Sequence, residues 1–333
     1  MRFFMKRIVI DMLGGDYGLK TTIPAVKRFH ASNPNTGLVL VGSEDSLREF
    51  TYANIVDATE VVPMECGALE VLRHKDSSLM KALNVMKEGK ADGIVSAGST
   101  GGFLAAATIT LKKLNGVLRP ALVTAFPKLS DQGGFVTMLD VGASNENTPE
   151  EMNQFAMMGS LYSQIVFGKQ EPNVKLLSNG TEEGKGSPVG KEAYKLLKDN
   201  KCIRFGGNVE GNGILLGDAD VVVSDGYSGN IMLKTTEGTA KGVGVLLKKM
   251  FKKSLASKIG YLLTKKGVAE MKQTMDPKKV GGALLLGING LAVKAHGNSD
   301  DEAFYHALTL MDRLLEGDIL SRIETGLAKG TNE

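Results

Sequence analysis

Five short apolar runs in this chain each end in a cluster of Gly, Ser, Asp, Asn or Thr, and a helix-like stretch follows most of them. They are Ile8-Val9-Ile10 into residues 11–16, Ile94-Val95 into 96–102, Met138-Leu139 into 140–144, Leu176-Leu177 into 178–186, and Val221-Val222-Val223 into 224–230. Such runs, punctuated by turn residues and alternating with helical segments, predict a mostly parallel, doubly wound sheet with right-handed crossovers. In open parallel sheets ligands sit beyond the carboxyl ends of the strands. The pattern therefore predicts one cleft lined by several polar loops, the layout of an enzyme.

Local signals place the helices between these runs. Residues 18–30 read as a helix leading to a second strand at Leu38-Val39-Leu40-Val41. Ser77-Ser78 opens a helix that Gly89 closes. Thr148-Pro149-Glu150-Glu151 combines a capping-box Thr and Glu with Pro at the first helical position, and Ser299-Asp300-Asp301-Glu302 repeats the device ahead of a helix to about residue 315. No linker, repeat or low-complexity stretch divides the 333 residues. They are expected to form one large α/β unit over 1–333, or two lobes around a shared cleft. Residues 245–275 differ in character: Lys248, Lys249, Lys252, Lys253, Lys258, Lys265, Lys266 and Lys272 interleave with Phe251, Leu255, Ile259, Leu262 and Leu263, a basic amphipathic helical segment.

A net charge of +3 is too small for a nucleic-acid binder, so no nucleic-acid partner is expected. Cys66 and Cys202 lack metal-ligand spacing and make no disulfide framework, which predicts a reducing, cytoplasmic location. The N-terminal apolar run stops at Asp11, far short of the ~18 residues a membrane span needs. Met5 stands directly before the first strand as an alternative start. Histidine and carboxylates nowhere share metal-ligand spacing, so no metal site is expected.

Glycine clusters after strands let backbone N–H groups approach an anion, and the helix N-terminus behind them adds roughly half a positive charge. Phosphate is thus the first ligand to consider. Gly180-Thr181-Glu182-Glu183-Gly184-Lys185-Gly186 is not a nucleotide P-loop: three residues separate the glycines, two acids sit in the cradle, and Gly stands where Ser or Thr would hold magnesium. No Gly-x-Gly-x-x-Gly follows a strand, and no Gly-x-Ser-x-Gly elbow exists. His30 and His306 sit in surface-like helical contexts, and His74 in a charged loop. His296 ends a strand-like segment in small residues and is a candidate for the cleft. Asp225, followed by Gly226, Gly229, Asn230 and Lys234, combines a carboxylate with a helix start; Asp11 and Asp16 flank Gly14 and Gly15 in the same way. Capping and turn formation are the competing explanations for these aspartates.

Read together, these blocks resemble the PlsX family of bacterial acyl-[acyl-carrier-protein]:phosphate acyltransferases over essentially the whole chain. The resemblance rests on Asp-Met-Leu-Gly-Gly-Asp at 11–16, Lys-Asp-Ser-Ser at 75–78, Ser-Ala-Gly-Ser-Thr-Gly at 96–101 and Leu-Asp-Val-Gly-Ala at 139–143. It continues with Glu-Glu-Gly-Lys-Gly at 182–186, Gly-Asn-Val-Glu-Gly at 207–211, Asp-Gly-Tyr-Ser-Gly-Asn at 225–230, Gly-Ile-Asn-Gly at 287–290 and Lys-Ala-His-Gly at 294–297. The chain departs from the family's usual residues at Ser99, Ser144, Asn179 and Ser187.

The resemblance implies a three-layer α/β/α fold similar to the isopropylmalate dehydrogenase and phosphotransacetylase folds. It implies reversible transfer of a long-chain fatty acyl group from acyl carrier protein to inorganic phosphate, giving acyl phosphate for phospholipid synthesis. It also implies a homodimer and no cofactor beyond the phosphopantetheine that the substrate carries. Asp225, His296, Asn208, Asn230 and Lys185 are the implied catalytic residues. Asp11, Gly14, Gly15, Asp16, Ser96, Gly98, Ser99, Thr100, Gly101, Glu183, Gly184, Gly186, Gly226, Gly229, Lys234 and Asn289 are implied to line the phosphate and substrate site. Phosphate is already an oxyanion nucleophile, so such a reaction needs positioning and oxyanion stabilisation rather than a metal or covalent nucleophile. The segment at 245–275 suits either a dimer interface or peripheral attachment to an anionic bilayer, near a membrane glycerol-3-phosphate acyltransferase that would take the product. The competing readings are a short-chain phosphotransacetylase acting on acyl-CoA, a dehydrogenase of related fold, and a non-catalytic lipid-binding protein at the membrane.

Overall fold

The computed structural model describes residues 6–130, 133–274 and 281–330. Met5, the alternative start, and residue 275 lie outside the described residues, as does the side chain of Lys272. Eleven strands form one sheet among the described residues: β1 (Arg7–Asp11), β2 (Gly37–Gly42), β3 (Asn54–Asp57), β4 (Gly93–Ser96), β5 (Ala121–Pro127), β6 (Phe135–Leu139), β7 (Asn173–Leu177), β8 (Arg204–Val209), β9 (Val221–Val223), β10 (Ala283–Leu286) and β11 (Leu291–Lys294). The helices are α1 (Leu19–Ser32), α2 (Glu44–Leu47), α3 (Ser78–Lys87), α4 (Thr100–Leu111), α5 (Pro149–Phe167), α6 (Pro188–Asp199), α7 (Gly226–Lys252), α8 (Leu255–Thr274), α9 (Asp301–Glu316) and α10 (Ile319–Gly330).

Period-two alternation puts helices on both faces. Ile8 and Ile10 point into a core shared with α1, α5, α9 and α10, through Phe29, Phe155, Phe304 and Ile323, whereas Val9 points the other way onto Leu83 of α3 and Phe103 of α4. Val222 of β9 likewise faces a third cluster, against which Met232 and Leu233 of α7 pack. Caps set the helix starts. Thr148 and Glu151 form the reciprocal capping box with Pro149 in the first turn; Ser77 caps α3, and Asp300 rather than Ser299 caps α9.

The sheet runs β3-β2-β1-β4-β11-β10-β5-β6-β9-β7-β8. Most neighbours are parallel, but β10 is antiparallel to both β11 and β5, and β5 is antiparallel to β6. Three successive reversals make β6, β9, β7 and β8 run opposite to β1, β2, β3, β4 and β11. This corrects the expectation of five strand ends on one edge. The loops after β1 and β4 leave one edge of the sheet, and those after β6, β7 and β9 leave the other. Short apolar runs carry no direction, which is why the sequence hid the reversal.

An acidic hub ties the second block. Asp220 accepts the Asn173 N–H at 3.0 Å and the buried Lys128 ammonium at 2.9 Å, with Lys169 at 3.1 Å. Burial alone would raise its carboxyl, but the Asn173 N–H, Lys128 and Lys169 outweigh that and hold it below the usual range. A depressed carboxyl stabilises the fold above its unfolded value of about 3.9, and that contribution is lost as pH falls through the lower folded value. Asp220→Asn should therefore be less stable than the parent at neutral pH and lose part of the parent's acid dependence, as read from urea midpoints measured against pH.

Candidate active site

The parallel register of β1, β4 and β11 brings Asp11, Ser96 and Lys294 to one edge, with Lys294 directly opposite Ser96. Asp11 is buried and accepts the N–H groups of Leu13 and Gly14 at 3.3 and 3.2 Å and the Ser96 hydroxyl at 2.7 Å. Ser96 Oγ in turn accepts the Gly98 N–H at 3.0 Å. A Cβ on Gly14 would lie 2.6 Å from Asp11 Oδ2 and 2.9 Å from Gly98 N, so only glycine lets these loops interlock. Gly15, at φ +90°, packs on Ala97, and the Asp16 N–H donates to the Gly297 carbonyl at 2.8 Å. Beside them Ser99 caps α4, whose first turn holds Thr100 and Gly101 exposed at the edge. A polar edge with a helix N-terminus attracts an anion.

Lys294 is the residue that the sequence reading passed over, although a lysine at the end of a buried strand was a signal. It is 5% exposed, and its Nζ donates to the Ala295 carbonyl. Burial pushes its ammonium down to about 8, against the pull of Asp11 and Asp16, while Lys234 lowers it further. His296 presents surface to solvent in a crowded setting. Desolvation depresses its imidazole; Glu237 opposes this, and Lys294, Lys234 and Lys241 add to it, all of which disfavours the charged ring.

The loop after β6 forms a second cluster at the opposite edge. Asp140 is fully buried, with no cation at hydrogen-bond distance among the described residues, and takes five donors: the N–H groups of Leu122, Gly142, Ala143 and Ser144 and the Ser144 hydroxyl, all at 2.7–3.0 Å. Its carbonyl accepts the Ser224 hydroxyl at 3.0 Å and lies so close to Gly229 that any side chain there would overlap it. Gly226 is held likewise against the Ser144 carbonyl, and its N–H donates to Asn147 Oδ1 at 2.9 Å. Asp225 caps α7 through the Ser228 N–H at 2.8 Å, and Asn230 lies against Gly142. From this start α7 reaches the first cluster, where the exposed Lys234 and the neighbouring Glu237 and Lys241 bias Lys294 and His296.

The 178–186 loop stands apart: no hydrogen bond joins it to the loops at Asp11 and Ser96 among the described residues. Lys185, Gly184 and Gly186 remain near its exposed rim. Glu183 is drawn to Lys198 of α6 at 3.0 Å, so its carboxylate ties loop to helix. Asn208 donates to the Glu182 carbonyl at 2.8 Å and holds this loop, leaving its Oδ1 buried and unpartnered among the described residues. Asn289 is not brought to the first cluster. It occupies the β10–β11 turn, bonded to the carbonyls of Lys112 and Lys113, at the far end of β11 from Lys294. The four departures all find local roles: Ser99 and Ser187 are helix caps, Ser144 donates to Asp140, and Asn179 accepts the Gly186 N–H at 2.9 Å.

The remaining histidines are occupied in packing or pairing. His30 stacks on Tyr52 with ring centroids 3.6 Å apart, and His306 lies beside Tyr305. No metal-ligand spacing of histidine and carboxylates is expected from the sequence; among the described residues Cys66, Glu70 and His74 converge outside these clusters.

The fold matches a phosphotransacetylase from Streptococcus pyogenes with a TM-score of 0.61 at 17% identity, over 95% of this chain and 94% of that one. It also matches a branched-chain phosphotransacylase from Enterococcus faecalis with a TM-score of 0.58 at 16% identity, over 93% and 98% of the two chains. The profile of the family described as "Fatty acid synthesis protein" matches residues 6–322. The phosphate acyltransferases of Fervidobacterium nodosum and Thermotoga maritima are 42% and 41% identical, each comparison covering 97–98% of this chain and 98% of the relative. That of Neisseria meningitidis is 39% identical over 98% of this chain and 95% of its own. The chain belongs to this fatty acid synthesis, or PlsX, family, and is an acyltransferase of fatty acid and phospholipid synthesis.

Lys294 gives the site a titration that can be measured. With its pKa pushed down to about 8, the ammonium loses charge as pH rises through that region. If it holds phosphate, KM for phosphate should climb between about pH 7 and about pH 9 in the parent enzyme and stay high and level across that window in Lys294→Gln. A parent KM that is flat across the same window would separate Lys294 from phosphate binding.

Proposed function

We propose that the enzyme transfers a long-chain acyl group from acyl-[acyl-carrier protein] to inorganic phosphate and releases acyl phosphate, reversibly. The observation that carries this reading is the buried Lys294 ammonium in register with Ser96, beside the α4 N-terminus. Phosphate would sit there, held by the first-turn N–H groups with Lys294 and Lys234 as counter-charge. One phosphate oxygen attacks the thioester carbonyl; the carbon–oxygen bond forms, the carbon–sulfur bond breaks, and the phosphopantetheine sulfur leaves as thiolate. A thiol of ordinary pKa, about 8.5, departs and takes up a proton from solvent without a strong acid. His296 donates an N–H to the carbonyl oxygen as charge develops there. No cofactor or metal enters these steps.

Asp225 starts α7, the helix that carries Lys234 to the site, with one carboxylate oxygen serving as the helix cap. Asparagine caps a helix as well as aspartate does, so Asp225→Asn should fold normally. Turnover should nevertheless fall by a factor of about 100 or more if the carboxylate orients phosphate or a proton. The deciding assay incubates enzyme with palmitoyl-carrier protein and phosphate and traps acyl phosphate as the hydroxamate, with palmitoyl-CoA and acetyl-CoA in parallel. Product from the carrier substrate alone supports the proposal, whereas product from acetyl-CoA alone makes the enzyme a short-chain phosphotransacetylase.

The α7–α8 hairpin favours a second element of the reading, a seat on anionic lipid close to the acyltransferase that consumes the product. Phe251 and Tyr261 pack the two helices together with centroids 5.1 Å apart, while Leu246, Leu255, Leu262 and Leu263 are each at least 65% exposed. Exposed lysines flank them, as at an interfacial helix, and no helix among the described residues is long and apolar enough to cross a membrane. The homodimer is proposed to form elsewhere on the surface. Leu262→Glu combined with Leu263→Glu should abolish co-sedimentation with anionic liposomes and leave the solution mass unchanged. Dissociation of a dimer without loss of liposome binding would instead assign the leucines to the subunit interface.

A further inference from the structure

Residues 58–77 connect β3 to α3 with one 3-10 turn, Glu70–Arg73, as their only helix among the described residues. The loop is closed at its base. Ser78 N–H donates to the Glu60 carbonyl at 2.9 Å, Glu60 bridges to Ser77, and Ser77 Oγ donates to the His74 carbonyl at 2.6 Å. Inside this closed loop the four-residue spacings of Cys66, Glu70 and His74 gather a thiol, a carboxylate and an imidazole whose ligand atoms all lie within 4.8 Å of one another. Cys66 is buried, its thiol donates to the Gly67 carbonyl at 3.7 Å, and the Glu70 carboxylate accepts the Gly67 N–H at 3.2 Å. Glu60 Oε1 stands 2.5 Å from His74 Nδ1; a carboxylate there accepts Nδ1–H and leaves Nε2 as the ring's lone-pair nitrogen.

Each feature has a plain meaning in metal chemistry. Bonds of about 2.0–2.3 Å in a tetrahedral zinc site put neighbouring ligand atoms about 3.3–3.8 Å apart, so rotations that move these atoms by about 1 Å would close the set. A sulfur with an imidazole selects a borderline, zinc-like ion over magnesium or calcium, which require oxygen donors. A carboxylate on the far nitrogen of the histidine is the outer partner that such ligands use. Three protein ligands on a half-exposed loop leave a fourth position to water.

We propose that Cys66, Glu70 and His74 bind one zinc-type divalent cation, with Glu60 holding the His74 ring. The site lies against the catalytic loops without belonging to them. Val71 of the same turn packs on Gly102 in the first turn of α4, where an added Cβ would meet it at 3.5 Å, and Met64 covers Gly297 next to His296. Bound metal therefore clasps the segment that walls the α4 N-terminus and the 294–297 loop. It orders that wall and takes no part in acyl transfer.

The test uses the whole protein, stripped with a chelator and titrated with Zn²⁺ against a chromophoric competitor, with Co²⁺ as the spectroscopic stand-in. The parent and Cys202→Ser should each take up one Zn²⁺ per chain, and their Co²⁺ forms should show a thiolate charge-transfer band. Cys66→Ser should lose that band. His74→Ala should bind Zn²⁺ about ten-fold or more weakly, and Glu60→Gln about ten-fold more weakly. Circular dichroism of the stripped proteins reads folding apart from metal uptake; if Cys66→Ser is unfolded, the comparison of Glu60→Gln with the parent decides. A parent that takes up no Zn²⁺, or a folded His74→Ala or Glu60→Gln that binds as tightly as the parent, overturns the proposal.

Discussion

The Asp140 carboxylate is the interaction on which the second half of the molecule hangs. A fully buried charge is costly unless its lone pairs are filled, and here five N–H and O–H donors fill them. Hydrogen bonds to charged groups contribute about 1.5–3 kcal/mol each, which lets one side chain dictate the path of residues 140–144. The same residue's carbonyl takes the Ser224 hydroxyl and leaves room only for glycine at position 229. The start of α7, and with it the positions of Asp225, Asn230 and Lys234, follows from the placement of this buried carboxylate.

The two edges of the sheet perform different work. At one, three loops interlock through glycines that no other residue could replace, and a lysine is buried among aspartates. At the other, a dense hydrogen-bond network fixes the beginning of a long helix. Helix α7 carries cationic side chains from the second edge to the first, where they act on Lys294 and His296. A reaction whose nucleophile is already an anion needs little more than charge, N–H groups and rigid placement, and the molecule supplies those.

Much of this was legible in the residues. The strand runs at 8–10, 94–95 and 221–223, the capping box at 148–151, and the loop blocks at 11–16, 96–101 and 225–230 all carried local signals, because caps and turns are written within a few positions. Strand direction is a property of partners far apart in sequence, so the reversal at β10, β5 and β6 could not be read. For the same reason Asn289, embedded in a suggestive block, ends up at the wrong end of its strand, and Glu183 is drawn to a lysine fifteen residues away. Lys294 hid in plain view as an apolar strand's last residue. The convergence of Cys66, Glu70 and His74 depends on a short 3-10 turn that periodicity does not announce.

The strand order also bears on how the chain is made. β4 is flanked on one side by β1, but its other neighbour is β11, which lies almost two hundred residues later, and β10 closes the gap to β5 only from the same late segment. During synthesis the first block must wait with an open strand edge beside Gly93–Ser96 until residues 283–294 have left the ribosome. An unpaired edge of that kind invites association with other chains, and contacts of such sequence separation form slowly. Nascent copies of this enzyme are therefore most exposed to misassembly just before the C-terminal fifth of the chain emerges.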